Sequence, residues 1–162
     1  MARTKTQKKE IIEKLSKIMG DAKSLVFVNF HGLKVLDATA MRRAMKKDGV
    51  SYFVAKKSLT EIALAGKKYS GTMPQLIGES GIAYSTDLIA PARNVYEFQK
   101  KFKDQVNIVG GVFDGAYMDK NGMIAIASIP SLDTLRGMFV NVINSPIQGF
   151  VMALDQIAKK KN

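Results

Sequence analysis

Across the first 130 residues apolar positions alternate between a helical and a strand rhythm, which limits the fold more than any other feature of the chain. Ile11, Ile12, Leu15, Ile18 and Met19 recur at helical spacing ahead of Gly20, which predicts a helix over 7–19 capped by Thr6. SLVFVNF (24–30) then reads as a buried strand and leads into the turn-like HGLK. Asp37 is placed to cap a second helix, with Met41, Ala44 and Met45 inward and a stop at Gly49. VSYFVA (50–55) predicts a second strand, and Ser58 with Glu61 has capping-box spacing for a short helix that turns Leu59 and Ile62 inward. The segment YSGTMPQLIGESG (69–81) is a glycine- and proline-bearing connection, followed by the short strand GIAYS. Pro91 suits the first turn of a helix in which Val95, Phe98 and Phe102 share a face. VNIVGGVFDG (106–115) reads as a strand with a glycine bulge and a turn, and a short strand and a helix near 119–127 follow. Strands alternating with helices predict an α/β domain over 1–130, a mixed sheet flanked by helices.

Beyond Ile129-Pro130 the pattern changes. Ser131 can cap a helix carrying Leu132, Leu135, Phe139 and Val142, and Ser145-Pro146-Ile147-Gln148 resembles a fresh helix start. Residues 131–162 therefore read as a long kinked helix, or two helices in line. FVNVI (139–143) and FVMAL (150–154) repeat one pattern at a spacing of eleven residues. Eleven residues make three helical turns plus about 20°, so the copies face nearly the same way, about 16 Å apart along the axis. Leu135, Phe139, Val142, Ile143, Ile147, Phe150, Val151 and Leu154 are the candidate partner-binding residues. The plainer alternative is an amphipathic helix that packs back on the domain. Against it, the apolar stripe is broad, and a repeated motif suits a repeated ligand. The expected role is a docking rod for two copies of one protein partner.

Charge separates the halves. Residues 1–70 hold sixteen Lys/Arg against six Asp/Glu, a net of +10, out of +11 for the whole chain. A localised basic field points to a polyanion, nucleic acid before acidic membrane, over a merely solvated basic surface. His31, Gly32 and Lys34 stand at the end of the first strand, and Arg42, Arg43, Lys46 and Lys47 fall on the exposed side of the second helix. Lys56 and Lys57 lie between a strand and a helix N-terminus, where backbone N–H groups and the helix dipole favour an anion. Arg3, Lys5, Lys8 and Lys9 are expected to form a flexible basic arm. Together these are the candidate phosphate contacts. Phe27 and Phe30 read as core, and Tyr52 as core or rim.

One histidine and no cysteine exclude His clusters and Cys–His dyads, and the glycine segments GESG and GGVFDG lack the Lys-Ser/Thr ending of a phosphate-binding loop. No enzyme, metal or cofactor is expected. No run of eighteen apolar residues predicts a membrane span, and the polar basic start with no cysteine fits a cytoplasmic protein.

The segments TQKKEIIEKL, SLVFVNFHGL, MRRAMKKDGVSYFVAKKSL, GGVFDG and SIPS…SPIQGFVMALDQIA follow the order seen in bacterial large-subunit ribosomal protein ten, the base protein of the lateral ribosomal stalk, and over its whole length the chain resembles that family. The family pattern has Tyr-Arg-Gly-Leu where Phe30-His31-Gly32-Leu33 stands and Lys-Asn where Lys56-Lys57 stands. The long extension of archaeal and eukaryotic relatives is not in these residues, which points to a bacterial type. The resemblance implies binding to large-subunit rRNA at the GTPase-associated region beside ribosomal protein eleven. It implies a C-terminal helix carrying two dimers of the acidic stalk protein seven/twelve, which recruit translational GTPases, and repression of the protein's own operon. The competing reading is a basic DNA-associated regulator with a C-terminal dimerisation helix.

Overall fold

A computed structural model of the chain describes residues 4–67, 69–76, 78–102 and 105–161. It divides into two compact units, Met1–Ile129 and Pro130–Asn162.

In the first unit the elements run α1 (Lys5–Asp21), β1 (Ser24–Phe30), α2 (Val35–Lys47), β2 (Ser51–Val54), α3 (Lys57–Ala65), β3 (Ser80–Ser85), α4 (Ala90–Lys101), β4 (Val106–Phe113), β5 (Ala116–Asp119) and α5 (Lys120–Ala127). The five strands form one sheet in the order β2-β3-β1-β4-β5. Every strand pair in it is antiparallel, where a mixed sheet was expected. The reason lies in the order. The helical crossovers α2 and α4 each join two strands that run the same way, but a third strand sits between them, β3 in one case and β1 in the other. Parallel-running strands therefore never become neighbours, the arrangement of a split βαβ unit. A lone parallel bridge joins Ser70 to Ala116 beside the β5 edge.

β1 explains why the strand reads as buried throughout. Val26 and Val28 join Met41, Met45, Val95 and Met123 in the core beneath α2, α4 and α5. Leu25 and Phe27 join Leu15, Met19, Ala63 and Leu64 beneath α1 and α3 on the opposite face. The strand's period of two thus feeds two cores at once. The pairing of β1 with β4 shifts register between Phe27 and Val28, which leaves Val109 as the extra residue, so the predicted bulge is present immediately before the glycine pair. Asp114 and Gly115, both at positive φ, make the two-residue turn into β5.

Helix starts depart from the sequence reading. α1 begins after Thr4, whose N–H donates to Gln7 Oε1 at 3.2 Å, so Thr4 and not Thr6 is the cap. α2 is preceded by Lys34, and Asp37 lies within its first turn, where its charge complements the helix dipole. α3 follows Lys56 with no side-chain cap, so the Ser58–Glu61 box does not form. Leu59 is buried as expected, but Ile62 is 56% exposed, and Ala63 and Leu64 take the inward positions.

The second unit is one helix, α6 (Leu132–Lys161), helical without interruption through Pro146 rather than two helices in line. Ser131 caps it as expected, its Oγ accepting from Thr134 N at 3.4 Å.

Candidate nucleic-acid interface and docking helix

β1 and β2 both run antiparallel to β3, so their C-terminal ends lie at one end of the sheet. The segments that leave them, His31–Lys34 and Lys56–Lys57, therefore start from that same end. His31 and Gly32 are exposed, and Gly32 takes φ +65°, a left-handed turn that a side chain would strain. The His31 N–H donates to the Gln105 carbonyl at 2.9 Å and pins the turn to the start of β4. Lys5, Lys8 and Lys9 are not a flexible arm: they occupy the first turns of α1, all exposed. Arg3 lies outside the described residues.

A cleft of about 940 Å³ opens at this end. Lys8, Lys56 and Lys57 border it, with Phe30, Val54 and Ile62 on its apolar wall and Glu79 as its acidic member. Among the described residues the ion pairs are Arg136–Asp133 and Lys159–Asp155, both on α6, so none of the three cleft lysines is held in one. Phe30 was expected in the core. It is half-buried, belongs to neither apolar cluster, and has its backbone N–H bonded to the Glu79 carbonyl at 3.1 Å.

Arg42, Arg43, Lys46 and Lys47 are exposed on α2, as predicted, but α2 packs on the other face of the sheet from α1 and α3. The basic residues thus form two groups, a cleft group and an α2 group. Arg42 lies over the Tyr52 ring at 5.7 Å, so that ring carries a cation on one face. Burial pushes the Tyr52 phenol up to about 12, with the Arg42 guanidinium pulling weakly the other way. Gly81 makes room for this tyrosine, since a Cβ there would collide with the Tyr52 hydroxyl. The cleft wall was missed in the sequence. Its available signal was Phe30 itself, an aromatic between polar Asn29 and His31 at a strand end.

On α6 every residue from 132 to 160 is exposed, including all eight candidate docking residues. Phe139 and Phe150, the leading residues of the two repeats, are 68% and 66% exposed, and Leu135, Val142, Ile143, Ile147, Val151 and Leu154 extend the stripe. By length and composition α6 could also cross a membrane, with a mean hydropathy of 1.3 over its most apolar stretch. Its other face argues against lipid. Asn141, Asn144, Gln148 and Asp155 follow one another at helical spacing along it, and in hydrocarbon they would go unpaired.

Comparison with known proteins accounts for both units. The family model Ribosomal protein L10 matches residues 3–100, and the model Ribosomal protein uL10 C-terminal region matches 129–162. The large ribosomal subunit protein uL10 of Rhodospirillum rubrum is 36% identical over 140 residues, covering 86% of this chain and 81% of the relative. That of Sphingopyxis alaskensis is 38% identical over 142 residues, 88% and 82% of the two chains. That of Shouchella clausii is 32% identical over 162 residues, 99% and 97% of the two. The chain is a structural protein of the ribosome. It belongs to the bacterial large-subunit ribosomal protein L10 family.

Proposed function

We propose that the α/β unit binds large-subunit rRNA at the GTPase-associated region, beside ribosomal protein eleven, and that α6 anchors two dimers of the acidic stalk protein, which recruit translational GTPases. The protein then works ribosome-bound in the cytoplasm, and the same basic surface can engage its operon leader RNA. The observation that carries the reading is the exposed repeat on α6: two Phe-Val copies, eleven residues apart on one face, with every member open to solvent. Burying eight such side chains is worth on the order of 12–24 kcal/mol gross, much of it offset by ordering and association. For the RNA arm, the support is the exposed cations held in no ion pair among the described residues, Lys8, Lys56 and Lys57 at one sheet end and Arg42, Arg43 and Lys46 along α2. These suit backbone phosphates, which fix position and dominate affinity.

Native mass spectrometry of complexes co-expressed with the stalk protein tests the docking arm. The full chain should carry two dimers, a chain ending at residue 144 one, and a chain ending at 130 none, with rRNA-fragment binding kept. Two dimers on the 144-residue form would refute serial docking. A full chain that elutes alone as a stable dimer and takes up no stalk protein would favour the DNA-associated dimer.

A further inference from the structure

We infer that the cleft at the lysine-rich end of the sheet receives one unpaired nucleotide of the bound RNA, its base against the Phe30 ring and its flanking phosphates at Lys8, Lys56 and Lys57. The inference rests on the RNA-binding reading and adds a mode of recognition to it. At about 940 Å³ the cleft lies in the size range of small-molecule sites and is open to solvent-exposed groups on its rim. A single nucleotide fits such a space and a duplex does not. Phe30 stands outside both cores, while Val54 and Ile62 on the same wall are 38% and 56% exposed. These three apolar side chains gain little from the fold and have surface left to cover. An aromatic ring beside a basic rim is the combination by which single-stranded nucleic acid is held, because every base has a face to stack and every linkage a charge. Lys56 and Lys57 add the first turn of α3, where backbone N–H groups face outward.

Glu79 decides among occupants. A carboxylate on the wall repels the carboxylate of a fatty acid and the acidic side chains of an acidic peptide. A base brings amino or imino N–H groups, which a carboxylate accepts. The occupant that satisfies the ring, the lysines and the glutamate together is a nucleotide.

The test uses the full chain with labelled methyl groups and a chemically synthesised rRNA fragment of the GTPase-associated region. Its unpaired positions are replaced one at a time by abasic residues. Binding of the intact fragment should shift the Val54 and Ile62 methyl resonances. One abasic replacement should abolish those shifts and lower affinity about tenfold, the equivalent of one base–aromatic stack. Phe30→Ala should lose about tenfold on the intact fragment and nothing further on that abasic one. Tight, salt-sensitive binding with unmoved methyls and no sensitive abasic position would overturn the inference while leaving the RNA-binding reading intact. Failure of the chain to bind the intact fragment would overturn both. Methyl shifts produced by laurate or a poly-glutamate peptide, and not by RNA, would show another occupant and overturn it as well. Should Phe30→Ala not fold, the wild-type methyl shifts across the abasic series decide.

Discussion

Tyr52 shows how one side chain ties the α2 group of cations to the sheet. Its ring packs against the core under α2, its hydroxyl occupies the space that Gly81 leaves open, and Arg42 lies over its face. Its phenol titrates near 12 when folded, against 10.0 for the free group. The folded state therefore holds this proton more tightly, so the stabilisation is complete below pH 10 and is lost as pH rises through about 12. Denaturation midpoints measured from pH 9 to 12 should fall over that window, by on the order of 2 kcal/mol in stability. Tyr52→Phe should remove that part of the fall, and an undiminished slope in the variant would assign it to Tyr69 and Tyr117, whose phenols are also raised by burial. Gly81→Ala should destabilise by about 1–3 kcal/mol in urea, as overpacking does. A neutral result would mean that the tyrosine swings clear at no cost.

At the scale of elements, the strands were legible and the starts of α1, α2 and α3 were not, while Pro91 marked the first turn of α4. β1 runs over the residues its apolar block predicts, because a strand buried on both faces has an unmistakable composition. The first turns of α1 and α3 are polar or lysine-rich, and that of α2 opens on Val35 and Leu36, which are exposed and belong to no buried stripe, so the choice among Thr4 and Thr6, or Lys34 and Asp37, falls to hydrogen bonds that composition does not rank. α6 is the opposite case, its cap at Ser131 and its repeat both readable because neither depends on a distant partner. Phe150→Ala should weaken the outer stalk dimer by about 2–4 kcal/mol if Phe150 is a buried anchor, and Phe139→Ala the inner one. Titration calorimetry that finds both variants weakening the same single event would dissolve the two sites into one.

For the whole molecule the governing quantity is where the excess of +10 over residues 1–70 comes to lie. Lys56→Glu with Lys57→Glu, and separately Arg42→Glu with Arg43→Glu, should each flatten the salt dependence of rRNA binding. Each phosphate that no longer meets a cation should lower the log–log slope by roughly 0.7–0.9. Because the two groups sit on elements that cover opposite faces of the sheet, their effects should add. A pair whose reversal leaves the slope untouched is solvated and not at the interface.

The alternation of apolar rhythms, the charge imbalance and the eleven-residue repeat are properties of the linear chain, since each can be read without knowing which residues meet in space. They suffice for an α/β unit, a basic first half and a C-terminal helix with a repeated apolar face. The strand order is not local. β2 and β1 are kept apart by β3, which comes after both in the chain, and that insertion makes the sheet antiparallel. It also brings Phe30, Lys56 and Glu79 to one cleft with Lys8 from the first helix. Residues that lie more than twenty positions apart meet there because hydrogen-bonded strand pairing joined their neighbours, and no spacing along the sequence encodes which strands will pair.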